Sequence, residues 1–146
     1  MRFSGTIYKD GKFWLAEIPI LDLMTQGRTK KEVFEMVSDM LESLVNRDGF
    51  KIEVYKGKKD KFEVGSSEPK HMVSLLLQRK RESSGLSLAQ VATRLGMKSR
   101  NTYARYEQGR SVPSVEKLNE LLNAVCPKRD IVINESTIPL TSVIDQ

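Results

Sequence analysis

The chain has 146 residues, with 39% hydrophobic residues, 29% charged residues and a net charge of +5. This length and composition are typical of a soluble globular protein of one ordinary domain or two small ones. The chain contains neither a membrane-spanning apolar run nor the apolar core of a signal peptide, so a cytoplasmic location is expected. Because the chain has a single cysteine, Cys126, it cannot form an internal disulfide. Its single histidine, His71, excludes His-rich metal sites and most Cys/His nucleophile pairs, and no cofactor is expected.

Residues 1–66 predict a small antiparallel sheet packed on one helix. The runs RFSGTIY (2–8) and KFWLAEI (12–18) are β-rich and are joined by the hairpin signal KDG. After a turn at Gly27, Thr29 and Glu32 have the spacing of a capping box. The helix that follows carries one apolar stripe of Val33, Phe34, Val37, Met40, Leu41, Leu44 and Val45. Residues 51–55 and 61–65 predict two further strands around the lysine-rich turn KGKKDK.

The stretch SSEPK (66–70) interrupts both patterns, and we place a linker at 67–70 between the two predicted domains. Residues 1–66 contain 12 Lys/Arg against 11 Asp/Glu, whereas residues 67–130 contain 12 against 6. The excess positive charge of the second part favours a polyanionic partner, because phosphates neutralised by cations release counterions. A basic surface that is merely solvated is the alternative.

Residues 71–134 predict an all-α bundle with short connections. Gly85 ends a first helix, Ser87 and Gly96 bound a second, Ser99 and Gly109 a third, and Pro113 with Ser114 opens a fourth. Cys126 follows an apolar helical run and is expected to pack in the core. The run RDIVIN (129–134) allows a terminal strand, and residues 135–146 are expected to form a peripheral tail. The fold class is therefore α+β.

The second and third helices have the features of a helix-turn-helix. Ala92 is small enough for a close helix crossing, and Gly96 suits a left-handed turn. The wedge between the helices would contain Val91, Leu95, Met97, Tyr103 and Tyr106. A helical bundle that only packs is the alternative for the Ala92 and Gly96 pair.

The outer side of the third helix carries side chains suited to reading DNA. They are Arg100, Asn101, Thr102, Ala104 and Arg105. Arginine can bind guanine O6 and N7, and asparagine can bind adenine N6 and N7, whereas alanine is small enough to allow close approach or to meet a thymine methyl. Ser99 and the helix N-terminus could hold a phosphate.

Residues 75–125 resemble an XRE-type (Cro/repressor) domain. The matching features are Arg81 four residues before Gly85, GLS at 85–87, Ala92, LG at 95–96, YEQG at 106–109 and PS at 113–114. The resemblance implies that Arg81 pairs with Glu107 as scaffold, and that Arg110 and Ser111 meet phosphates. The turn GMKSRN is one residue longer than the common pattern, and an alignment shift of one residue would change which positions face bases.

Residues 1–66 resemble the N-terminal domain of HicB-type antitoxins, which has a partial RNase H-like fold. The resemblance rests on paired short strands followed by a turn of Thr25, Gln26, Gly27, Thr29, Lys31 and Glu32 that leads into an amphipathic helix. It implies that this domain masks a HicA-type mRNA-cleaving toxin and that the second domain represses its own operon at an operator DNA. We do not expect catalysis, because Asp10, Glu17 and Asp22 lack the further acids of a two-metal set.

The sequence offers one candidate residue for contact with the toxin. Trp14 is a candidate interface anchor, although it also alternates with Ala16 and Ile18 like a core residue. The turn at 56–61 is interpreted as a solvated hairpin tip.

Two alternatives to the antitoxin function remain open: a stand-alone regulator whose N-terminal domain senses a ligand, and an RNA-acting enzyme. A homodimer or higher homo-oligomer is expected from the XRE resemblance. Leu118, Leu121, Leu122 and residues 131–133 are candidate dimer surfaces, with core packing as the alternative for the leucines.

Overall fold

The computed structural model describes residues 1–144, which form two compact units. The first unit contains residues 1–72 together with the segment from Glu135 onward, and the second contains Val73–Asn134. The strands are β1 (Arg2–Asp10), β2 (Phe13–Ile18), β3 (Leu23–Gly27), β4 (Glu53–Lys56) and β5 (Lys61–Gly65). The α-helices are α1 (Lys30–Val45), α2 (Pro69–Ser83), α3 (Leu88–Arg94), α4 (Arg100–Glu107) and α5 (Val115–Val125). The expected α+β class is confirmed.

The first unit is built on a five-stranded sheet in the order β3-β2-β1-β5-β4, and all four pairings are antiparallel. Alternation along β1 buries Phe3, Gly5 and Ile7 and exposes the residues between them. The buried side packs against α1, where Phe34 meets Phe62 of β5 edge to face at 5.4 Å between ring centroids. The other side of the sheet is not covered by α1. One face of the sheet therefore holds the core of this unit.

The start of α1 follows the expected capping chemistry. The Thr29 side chain accepts a hydrogen bond from the Glu32 amide at 3.0 Å, and Asn46 ends the helix in a left-handed conformation. The expected turn at Gly27 was wrong, because Gly27 is the last residue of β3 and pairs with Trp14 of β2. A β-carbon at Gly27 would lie 2.6 Å from the Val33 backbone nitrogen. Glycine at this position thus allows α1 to cross closely over the sheet.

Residues 135–146 were expected to be a peripheral tail, but the described part of this segment, residues 135–144, packs against the sheet of the first unit, and residues 145–146 lie outside the described residues. Arg2 Nη1 donates to Glu63 Oε1 at 2.9 Å, to Ser136 Oγ at 3.1 Å and to the Ile138 carbonyl at 2.8 Å. Farther along, the Ile144 amide donates to the Val54 carbonyl at 2.9 Å. These polar contacts join positions that are more than 60 residues apart in the sequence, so local patterns could not predict them.

The second unit is a bundle of short helices around one apolar cluster. Its buried members are Val73, Leu77, Val91, Ala92, Tyr103, Leu121 and Val125. Leu118, Leu122 and Cys126 pack against this cluster, so the leucines of α5 and the cysteine contribute to the core. No helix among residues 1–144 is long and apolar enough to cross a membrane.

Two boundaries differ from those expected. The proposed linker at 67–70 overlaps the start of α2, because the helix begins at Pro69, where proline fits the first helical turn. The run 131–133 lies outside the strands of the described chain, and Val132 and Ile133 are exposed. A β-branched run forms a strand only when a neighbouring strand satisfies its backbone groups, and residues 129–134 have none in the described structure.

Candidate nucleic-acid interface

Helices α3 and α4 meet around a small residue and a glycine turn. Ala92 is buried against the core of the second unit, and Leu95, Met97 and Tyr106 pack beside it. Gly96 has a φ of +69°, and the amide of the following residue, Met97, donates to the Ala92 carbonyl at 2.9 Å. This hydrogen bond is the one that ends a helix at a left-handed residue. The two roles expected of Ala92 and Gly96 are therefore present.

An ion pair braces the end of α4 against α2. Arg81 Nε and Nη2 donate to the two carboxylate oxygens of Glu107 at 2.7 and 3.0 Å, and Arg81 Nη1 donates to the Leu86 carbonyl at 2.9 Å. The hydrogen bond to Glu107 raises the pKa of Arg81, although burial opposes this shift. The pairing implied by the resemblance is thus present, and both side chains are used within the scaffold.

Ser99 forms the N-cap of α4. Its hydroxyl accepts a hydrogen bond from the Asn101 amide at 3.1 Å. The N-terminus of α3 has a complete capping box. The Gln90 amide donates to Ser87 Oγ at 3.1 Å, and the Ser87 amide donates to Gln90 Oε1 at 2.8 Å. Ser99 is exposed, so its hydroxyl lies at the surface beside the first turn of α4.

The exposed face of α4 carries four of the five residues expected to face bases. Arg100, Asn101, Thr102 and Arg105 are all exposed. Asn101 and Arg105 are one helical turn apart, so they lie on the same face of α4. No ion pair involves Arg100 or Arg105 among residues 1–144, and both guanidinium groups are therefore open to an anionic partner.

Ala104 was expected to face a thymine methyl, and the structure places it elsewhere. Ala104 is only 6% exposed and lies next to Tyr103, which is fully buried in the core. Burial and then the charge of Glu107 raise the pKa of Tyr103. The side of α4 that contains these two residues faces inward, because α4 must bury an apolar stripe against the bundle. Ala104 is therefore a packing residue.

The chain after α4 holds the two residues expected to meet phosphates. The amides of Arg110 and Ser111 both donate to the Arg105 carbonyl, at 2.9 and 3.2 Å. The Arg110 side chain is exposed and Ser111 is partly exposed. These hydrogen bonds hold the start of the loop against the last turn of α4, close in sequence to Arg105.

The sequence reasoning missed two exposed residues beside this face. Gln108 follows Arg105 by three positions and caps the C-terminus of α4, and Lys98 lies in the turn before Ser99. The i, i+4, i+7 spacing of Asn101, Arg105 and Gln108 is a helical-face signal that could have identified Gln108.

Trp14, the candidate toxin contact, lies on the side of the sheet that faces α1. It alternates with the buried Ala16 and Ile18, and the Lys30 ammonium group lies 4.8 Å from the centre of its ring. The geometry matches the core alternation that the sequence also allowed. Trp14 belongs to the first unit, and the α4 residues belong to the second.

Residues 1–144 contain no group of three or more His, Cys, Asp or Glu side chains arranged to hold a metal ion. Asp10, Glu17 and Asp22, which were considered as metal ligands, therefore form no such group.

Comparison with known proteins agrees with the geometry of the second unit. A family model described as a helix-turn-helix domain matches residues 73–127. No curated protein matches the chain. The matched range begins in α2, continues beyond α5, and includes the capped α3 and α4 pair. Residues 73–127 are thus a helix-turn-helix domain, and this domain supports a DNA-binding regulatory role for the protein.

Proposed function

We propose that this protein is a sequence-specific DNA-binding repressor whose first unit neutralises a small mRNA-cleaving toxin of the HicA type. The exposed face of α4 is the observation that carries the DNA-binding part. It presents Arg100, Asn101 and Arg105 outward while the opposite side of the helix is buried. Side chains of these types reach base edges when a short helix enters the major groove.

Alanine substitutions at Arg100 and Asn101 test this part. Each is expected to weaken binding to the selected operator by about 1–3 kcal/mol, because one base contact is lost. Arg129→Ala and Asn119→Ala are matched controls, since both residues are exposed and lie outside α4. The operator is first selected from a random duplex library, and affinity is then measured by fluorescence anisotropy. Equal losses in the α4 variants and the controls would contradict the assignment.

Arg110 is proposed to contact the phosphate backbone rather than a base. Arg110→Ala should weaken binding to operator and unrelated DNA alike and reduce the slope of log K against log salt by about 1. Titrations at several salt concentrations measure this slope. A loss confined to the operator would instead place Arg110 at a base.

Support for a protein partner of the first unit comes from the side of the sheet opposite α1. Tyr8, Phe13 and Met24 are 39%, 38% and 50% exposed there. The strand register pairs Tyr8 with Leu15, which is partly exposed, and Glu17 with Met24, so these side chains share one face. Large apolar side chains grouped on an exposed surface are typical of protein-binding sites. We therefore propose this face, in place of Trp14, as the toxin-binding surface.

Co-expression with the small reading frame next to the gene tests the toxin-binding part. The double variant Phe13→Ser/Met24→Ser should lose the complex and the relief of toxicity. Met36→Ser is the matched control, because Met36 is 40% exposed but lies on α1. The α4 variants should still neutralise the toxin. Absence of any complex with the unmodified protein would refute this part while leaving the DNA-binding part intact.

The second candidate function is a regulator whose first unit senses a small ligand. A cleft beside the sheet of that unit favours it, with a volume of about 940 Å³. Pockets of about 300–1,000 Å³ are typical of small-molecule sites.

A further inference from the structure

We propose that the first unit binds a phosphate-bearing small molecule in the cleft between the lysine-rich turn 56–61 and residues 135–142. This proposal rests on the second candidate function, ligand sensing by the first unit, and it assigns the position of the site and the chemical class of the ligand. All residues of this site belong to the first unit, whereas α4 belongs to the second, so the test does not depend on operator binding.

The floor of the cleft is the side of the sheet that α1 leaves uncovered. Ser4 and Thr6 of β1 are exposed there and line the cleft with their hydroxyl groups. The first wall is the β4–β5 turn, which is held by hydrogen bonds from the Gly57 amide to the Lys61 carbonyl at 2.8 Å and from the Lys61 amide to the Lys58 carbonyl at 3.2 Å. The turn is therefore a defined surface beside the floor.

The second wall is the C-terminal segment, and Arg2 anchors it. The Arg2 guanidinium bonds Glu63, Ser136 and the Ile138 carbonyl, and it lies 3.6 Å from the centre of the Tyr55 ring. A β-carbon at Gly57 would lie 2.7 Å from Ile138 Cδ1. The two walls therefore touch at Gly57 and Ile138, and this contact closes one part of the cleft.

The charge of the cleft favours an anion. Four lysines line it, namely Lys56, Lys58, Lys59 and Lys61, against two carboxylates, Glu63 and Glu135. Arg2 pairs with Glu63, whereas none of the four lysines forms an ion pair within the described part of the chain. The lining therefore has a net positive charge, of which Glu135 offsets a part.

The groups that line the cleft match a phosphorylated molecule of nucleotide size. Ammonium groups can pair with phosphate oxygens, and the hydroxyls of Ser4, Thr6 and Thr137 can donate to or accept from the rest of the ligand. The volume of about 940 Å³ is sufficient for one such molecule.

Titration of the full chain with ATP, AMP and adenosine tests the proposal. Calorimetry should show affinity in the order ATP, AMP, adenosine, because each added phosphate pairs with the lysines. Amide chemical shifts should change at residues 56–61 and 135–142. Lys58→Gln/Lys59→Gln should weaken ATP binding about fivefold, since an exposed charge pair contributes a fraction of a kcal/mol.

The double variant Lys9→Gln/Lys12→Gln is the matched control, because these exposed lysines belong to the β1–β2 hairpin and do not line the cleft. It should bind ATP like the unmodified chain. Equal weakening in both variants would show non-specific charge attraction and overturn the proposal. Changes in amide chemical shift elsewhere in the first unit would also overturn the proposal. Binding of single-stranded oligonucleotides without binding of ATP would overturn it as well.

Discussion

Arg81 packs beside the proposed DNA-reading helix and Glu107 is the last residue of that helix, but the two charged side chains pair with each other. Their side chains are 14% and 8% exposed, and both ends of the carboxylate are bonded to the guanidinium. An arginine in this state has few donors left for DNA. At the scale of single residues, partner contacts therefore distinguish the scaffold charges from the free charges of Arg100 and Arg105.

Glu107→Gln should destabilise the second unit by about 3 kcal/mol, because it leaves the Arg81 charge poorly paired in a largely buried position. The control Glu82→Gln should cost less than about 1 kcal/mol, since the Glu82 side chain is 40% exposed. Urea unfolding followed by helical circular dichroism measures both. Similar small losses for the two variants would mean that the Arg81–Glu107 pair contributes little.

His71 provides a pH-dependent prediction. It is buried beside the Phe50 ring, and burial lowers its pKa, while Glu68 acts to raise it and Lys70 and Arg47 to lower it. The unfolded chain therefore binds more protons than the folded chain between the lowered pKa and the usual value of about 6.5, and the free energy of unfolding falls as the pH decreases through that window.

His71→Gln should remove this part of the pH dependence. The free energy of unfolding by urea is measured at pH 7.5 and at pH 5.5 for both proteins, and the two differences are compared. An unchanged difference would show that protonation of His71 is not linked to unfolding.

At the scale of elements, close packing of α1 on the sheet depends on Gly27. The atom that a β-carbon would meet, the Val33 nitrogen, belongs to the helix backbone and cannot move as a side chain would. The glycine of the TQG segment (25–27), which resembled an antitoxin motif, is thus explained by local packing. This glycine ends β3 and leaves space for the first turn of α1.

Gly27→Ala should destabilise the first unit by about 1–3 kcal/mol, because overpacking forces the helix away from the sheet. Gly11→Ala is the control. Alanine at this position would adopt an unfavourable φ of +61°, but nothing lies within 4 Å of its added carbon. Urea midpoints are read from the fluorescence of Trp14, the single tryptophan. A smaller shift for Gly27→Ala than for Gly11→Ala would contradict the packing argument.

At the scale of the whole molecule, the two compact units do not follow a simple division of the sequence. The segment from Glu135 onward is grouped with the first unit although it follows the second in the chain. The boundary on the other side falls within α2, between Met72 and Val73. The first unit is therefore assembled from both ends of the sequence.

Ending the chain after Asn134 should lower the urea midpoint of the Trp14 transition, because Arg2 and Glu63 lose their contacts with Ser136 and Ile138. A loss of about 1–3 kcal/mol is expected from the removed hydrogen bonds. Arg2→Gln in the full chain should shift the same transition in the same direction. If neither change moved the midpoint, the C-terminal segment would contribute nothing to the stability of the first unit.

Elements whose signals are local could be predicted from the amino-acid sequence alone. Caps at Thr29, Ser87, Ser99 and Ser114 form within three residues of the amides they bond, so the beginnings of four helices could be predicted. Periodicity identified four of the five strands, and residue types identified the exposed arginines of α4.

Features that depend on partners distant in the sequence could be seen only in the folded structure. Gly27 ends a strand because β2 lies beside it, residues 131–133 form no strand in the described structure because they have no partner, and Ala104 is inside because α4 turns that side toward the bundle. The cleft likewise exists because residues 135–142 return to the sheet. Hydrogen bonds to a neighbouring strand and burial against a neighbouring helix are set by the folded chain, and the pattern of a single segment does not contain them.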